Sequence, residues 1–85
     1  MTFFVMPFTV YVLYSESYWK HYVGFTSDLK SRLISHNEKG HGWTSRYRPW
    51  KQIFIKEFNT KVEAMEYERW LKTGTGRDFI KSLPH

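Results

Sequence analysis

At 85 residues and 10.4 kDa, the chain is long enough for one small domain and too short for a multi-domain enzyme. It has no cysteine, which excludes disulfides and thiolate zinc sites, so its core must come from 7 Phe, 6 Tyr and 4 Trp, rings that bury roughly 150–250 Å² each. Thirteen Lys and Arg against eight Asp and Glu leave a net charge of +5, which favours a polyanionic partner, nucleic acid first, although solubility alone accounts for a charge of this size.

No apolar run approaches the roughly 18 residues of a membrane span. Met1 to Val12 lacks the basic leader and small-residue cleavage site of a signal peptide. The expectation is a cytoplasmic protein with no membrane partner, its segment Met1 to Pro7 partly disordered. Without repeats or linkers, residues 1–85 read as a single domain with its core at about 8–83.

Phe8 to Tyr14 places Phe8, Val10, Val12 and Tyr14 on one face and Thr9, Tyr11 and Leu13 on the other. That is the period of a strand apolar on both sides, hence a central strand. Ser15 to Ser17 breaks the run, and Tyr18 to Phe25 resumes it as the second arm of an antiparallel hairpin. Asp28 after Thr26 and Ser27 signals a helix start, and Leu29, Leu33 and Ile34 carry a helix from about Asp28 to Glu38, stopped by Gly40. Lys39 to Arg48 fits neither period and reads as a loop closed by Pro49. Trp50 to Phe58 is a third strand.

Thr60 and Glu63 have capping-box spacing ahead of a helix whose apolar face is marked by Val62, Met65 and Leu71 and which ends at Gly74. A short helix from Arg77 to Leu83 packs Phe79, Ile80 and Leu83 back onto the sheet. The prediction is a small α+β domain of order β-β-α-β-α-α, a three-stranded antiparallel sheet flanked by helices.

Three features exceed what packing needs. Glu68 falls on the stripe of Ala64, Met65 and Leu71, where an unpaired carboxylate is costly to desolvate. Either it lies at the stripe's edge and pairs with Lys72 at i+4, or it is a ligand for a hard cation, since Mg²⁺ takes one or two carboxylates and keeps its waters. Arg32 and His36, four apart, project from one helix face. They are a surface pair, or a phosphate clamp with a proton-transfer nitrogen. Tyr11 and Tyr22 stand on the two hairpin strands, as a cross-strand aromatic pair or as phenols able to act as a general base.

The intervals decide. Tyr11 to Tyr22 is 11 residues, Tyr22 to Arg32 is 10 and Arg32 to His36 is 4. With Thr9-Val10-Tyr11, Tyr22-Val23-Gly24, the segment Arg32 to Asn37, and Glu68 on the helix after the third strand, the sequence resembles the GIY-YIG nuclease family. It is most similar to small free-standing bacterial members related to the nuclease domain of the bacterial excinuclease, to which Tyr47-Arg48-Pro49-Trp50-Lys51 is also similar. Thr9 stands where the family has its first glycine.

The resemblance implies phosphodiester hydrolysis with Tyr11, Tyr22, Arg32, His36 and Glu68 as catalytic residues. One tyrosine is the candidate base for water, Arg32 binds the scissile phosphate, and His36 works through its neighbouring tyrosine. Glu68 holds one divalent cation, Mg²⁺ or Mn²⁺. It implies a role in DNA repair or processing.

From composition, substrate binding falls to Lys39, Trp43, Arg46, Tyr47, Arg48 and Lys51, in an acid-free stretch that alternates cations with rings on which bases stack. The expected partner is DNA, or RNA, and the chain a monomer or weak homodimer. A non-catalytic nucleic-acid-binding module is the competing expectation, in which the same residues only pack.

Overall fold

Alternating apolar residues on both sides of Phe8–Ser15 require cover on both faces, and the fold supplies it. The computed structural model describes residues 7–38 and 43–85. The expectation for Met1 to Met6 and the assignment of Lys39 lie outside those residues. Strands β1 (Phe8–Ser15), β2 (Lys20–Thr26) and β3 (Lys51–Phe58) form one antiparallel sheet in the order β2-β1-β3. The β1 strand is central, as its two-sided pattern predicts.

Helix α1 (Leu29–Glu38) lies between β2 and β3 in sequence, and α2 (Lys61–Leu71) and α3 (Gly74–Ser82) follow β3. The order β-β-α-β-α-α therefore stands. Val10 and Val12 point to one side, where they pack with Ala64, Leu71 and Ile80. Tyr11 and Leu13 point to the other, against Trp50, Tyr22, Leu29 and Leu33. A period of two thus splits the chain into a structural face under α2 and α3 and a second face under α1.

Several boundaries differ from the sequence-based expectation, each for a local reason. Tyr18 and Trp19 belong to the hairpin turn, not to β2. Their aromatic rings suit a strand, yet Trp19 has φ 54, the left-handed region where a chain reverses, and it is 82% exposed. Asp28 is the cap of α1 and not its first turn, since its carboxylate accepts from the Ser31 N–H at 3.1 Å. The expected loop contains a 3₁₀ helix, Trp43–Tyr47, too short for any periodic signal.

The Thr60/Glu63 cap of α2 is present: the Glu63 N–H donates to Thr60 Oγ1, which donates in turn to the Glu63 carboxylate. The face of α2 is corrected, because Val62 is 64% and Met65 41% exposed while Ala64 and Leu71 are fully buried. Gly74 opens α3 instead of merely ending α2, with Thr73 as cap. Gly76 explains this tight junction: a Cβ there would collide with the Trp70 carbonyl and the Leu71 backbone, so α3 begins directly against the end of α2.

Candidate active site

The site begins with a ring that needs space. Tyr11 sits opposite Gly24 in the β1–β2 ladder, and a Cβ on Gly24 would lie 2.6 Å from the Tyr11 hydroxyl and 2.8 Å from Cζ. Glycine is required there because the Tyr11 side chain crosses over its neighbouring strand. The tyrosine itself fills the gap that the missing Cβ leaves.

Three side chains close around that hydroxyl. His36 Nε2 lies 3.0 Å from it, and the Arg32 guanidinium sits beside it and beside Tyr22. Tyr22 packs its ring against His36 at 4.7 Å and Tyr11 at 6.1 Å between centroids. Both α1 residues arrive together because i and i+4 share a helix face, so Arg32 reaches the exposed rim while His36 is buried.

Electrostatics follow from this arrangement. Burial pushes the Tyr11 phenol above its ordinary value of 10.0, against the opposing pull of the Arg32 hydrogen bond, and the charge of Glu68 pushes it further up. His36 is held below 6.5 by burial and by the cations Arg32 and Arg48. At neutral pH the imidazole is therefore uncharged and the phenol protonated. In the His36 tautomer that leaves Nε2 bare, the Tyr11 phenol donates its proton to that nitrogen.

Glu68 comes from the opposite face of the sheet, half-buried between Ala64 and Leu71 of α2. Lys72 donates to its Oε1 at 2.7 Å, the i,i+4 pairing anticipated as the plain alternative. Among the described residues no group of three or more His, Cys, Asp or Glu could jointly hold a metal. A single carboxylate with one oxygen outside the Lys72 bond still fits a hydrated Mg²⁺ or Mn²⁺ completed by substrate phosphate.

The predicted binding residues divide. Trp43 is 46% exposed and links Tyr22, at 6.3 Å, to Tyr47, at 4.8 Å, a run of rings leading away from the Tyr11 hydroxyl. Arg46 and Lys51 are exposed. Arg48 turns inward, its Nε donating to the His36 carbonyl at 2.7 Å, which ties the segment to the end of α1 where carbonyls lack partners. Lys39 lies outside the described residues.

Sequence reasoning missed Asn37 and the structural role of Trp50. The Asn37 side chain accepts from the Trp50 N–H at 2.6 Å and donates to its carbonyl at 3.1 Å. Trp50 in turn is 5% exposed and donates its indole N–H to the Thr44 carbonyl. No periodicity announces such a clasp; only the adjacency of Asn37 to His36 hints at it.

The GIY-YIG catalytic domain profile matches residues 7–80. The chain belongs to the GIY-YIG family. It is 38% identical over 78 residues to a structure-specific endonuclease subunit SLX1 homolog of Giardia intestinalis, covering 80% of this chain and 22% of that protein. It is 44% identical over 52 residues to the UPF0213 protein YazA of Bacillus subtilis, covering 60% of this chain and 52% of YazA. A UPF0213 protein of Staphylococcus epidermidis is 33% identical over 63 residues, with 73% of this chain and 77% of that protein covered. The chain thus spans about a fifth of the Giardia protein and about half of YazA. No solved structure matches it at a significant level. Within this GIY-YIG chain Thr9 keeps regular register with Thr26 and Glu57, so the β-branched residue in place of the first motif glycine is accommodated in the pleat.

Proposed function

We propose that this GIY-YIG protein is a divalent-metal-dependent endonuclease acting on DNA, with Tyr11 as general base and His36 as the group that takes up Tyr11's proton. The observation carrying this reading is the Tyr11 hydroxyl 3.0 Å from the His36 Nε2 nitrogen, with the Arg32 guanidinium beside it. A phenol raised above its ordinary value is a poor base by itself, because almost none of it is ionised at neutral pH. Coupled to His36 it can act: as water attacks phosphorus, its proton passes to the Tyr11 oxygen while the Tyr11 proton moves to His36 Nε2.

Arg32 binds the non-bridging oxygens and stabilises the charge that builds on them, while Tyr22 wedges the Tyr11 and His36 rings. Glu68 holds the cation, which when bound polarises the phosphate and supports the leaving oxygen. The Glu68 oxygen outside the Lys72 bond is the one that would take the cation, while the ion pair keeps the carboxylate oriented. Trp43, Arg46 and Tyr47 receive the strand. The name of the Giardia relative favours structure-specific DNA as substrate, and similarity to the excinuclease nuclease domain favours a repair role.

The test is cleavage of labelled duplex, flap, branched and single-stranded DNA and of RNA, with Mg²⁺, Mn²⁺ or EDTA, by the wild type beside Glu68→Gln. Metal-dependent cutting that falls at least about 100-fold in Glu68→Gln is expected, the scale of one lost charge-stabilising group. Salt-sensitive binding with no cutting under any metal would leave the chain a nucleic-acid-binding module.

A further inference from the structure

Two cations that the catalytic reading leaves unused, Arg77 and Lys81, lie at the outer edge of β2. Among the described residues that strand pairs only with β1, and along its other side runs a groove of about 380 Å³. One wall is aromatic, Tyr22 and Trp43 from the face that holds the Tyr11 cluster. The other is cationic, Lys72 at the end of α2 with Arg77 and Lys81 of α3, and His21 also lines the groove. Val23, Leu71 and Ile80 are its apolar lining, and among the described residues no acidic side chain lines the groove.

Arg77 and Lys81 are four apart on one helix face, a like-charge pair that weakens an isolated helix by a few tenths of a kcal/mol. The packing of α3 is carried by Gly76, Ile80 and Phe79, while Arg77 and Lys81 are exposed. An anion between them would relieve the repulsion. A groove with a ring on one side and fixed cations on the other matches one chemical unit, a base joined to a phosphate.

We infer that this groove holds one nucleotide of the substrate strand next to the scissile phosphate, its phosphate on Arg77 and Lys81 and its base against Trp43. The inference rests on the nucleic-acid reading above, and shares Tyr22 and Lys72 with the catalytic cluster, which places the nucleotide beside the reacting phosphodiester. It assigns α3 to substrate binding, whereas the sequence suggests only a packing helix.

The experiment is fluorescence anisotropy of a labelled branched DNA with a single-stranded arm, titrated with the full chain carrying Glu68→Gln, in EDTA, over a salt series. Adding Arg77→Ala with Lys81→Ala is expected to weaken binding at least about tenfold and to flatten the salt dependence by about one to two counterions. Replacing the exposed Lys30 and Lys61, which do not line the groove, removes the same charge and is expected to change affinity less than about threefold. Trp43→Ala is expected to weaken binding of the single-stranded arm by about tenfold. Equal losses in the two double variants, an unchanged Arg77/Lys81 variant, or a parent that binds no DNA would each overturn the groove. Cutting by the wild type is scored separately. Binding lost at Arg77 and Lys81 without any cutting sinks the nuclease and keeps the groove; cutting with binding unmoved does the reverse.

Discussion

Gly24 is the residue on which the site turns. Its missing Cβ admits the Tyr11 hydroxyl, which His36 and Arg32 then hold in place. Gly24→Ala therefore drives a methyl group into a ring that has no free direction of retreat, with Tyr22 only 3.0 Å from the new carbon. The expected cost is about 1–3 kcal/mol of stability, and the expected loss of cleavage is about 100-fold, because a displacement on the order of 1 Å misaligns the base. Denaturant unfolding together with single-turnover rates separates the two.

His36 supplies the pH dependence. Burial, then Arg32 and Arg48, depress its pKa below 6.5, so the unfolded chain binds the proton more readily than the native one. The stability associated with neutral His36 is complete above about pH 6.5 and is lost as pH falls from there through the depressed value. His21 is depressed as well, by burial and by His85, and acts with the same sign. The melting temperature is expected to fall between pH 7.5 and 5.5, and to fall less steeply in His36→Gln; an equal slope in the variant would remove His36 from the account.

At the scale of elements, the C-terminal half of α1 is a docking point for the segment that follows it. Arg48 satisfies α1 carbonyls and Asn37 satisfies both backbone groups of Trp50, so the same turn of helix that aims His36 at Tyr11 also anchors the 3₁₀ helix bearing Trp43 and Tyr47. Asn37→Ala strands a buried N–H and a carbonyl, at an expected cost of about 1–3 kcal/mol. The measurement that checks the coupling is DNA affinity in the folded variant: it is expected to drop several-fold although Asn37 touches no substrate. Helix α2 joins the two halves of the molecule differently, its buried residues Ala64 and Leu71 flanking the half-buried Glu68, so the residues that seat the helix also set the height of the carboxylate.

For the whole molecule, the two sheet faces divide the labour. The Val10, Val12, Ala64, Leu71 and Ile80 cluster is apolar, while the opposite cluster is built from Tyr11, Trp50 and Tyr22 with Leu13 and carries the phenol that His36 touches. Leu71→Ala is expected to cost about 2–5 kcal/mol by opening a cavity, and to lower the cleavage rate as well, because Leu71 seats the helix that carries Glu68. Val62→Ala, at a position the sequence ranks equally apolar, is expected within about 0.5 kcal/mol, since its side chain already meets solvent. Paired thermal melts and rate measurements check both.

What the sequence determined by itself was whatever short-range periodicity encodes. The two-sided alternation of Phe8 to Tyr14 made β1 central, the Thr60/Glu63 spacing started α2, and the four-residue step from Arg32 to His36 put both on one helix face, because strand and helix periods act between neighbours in the chain. The intervals among Tyr11, Tyr22, Arg32, His36 and Glu68 carried the family. Tertiary structure decided what depends on partners distant in sequence: that Tyr11 crosses Gly24, that Arg48 faces inward while Arg46 remains exposed, that Met65 is outside and Ala64 inside, and that α3 starts at Gly74 because Gly76 can touch the end of α2. Those outcomes turn on close packing and on satisfying buried hydrogen bonds between elements, and neither quantity has a period that a single chain can display.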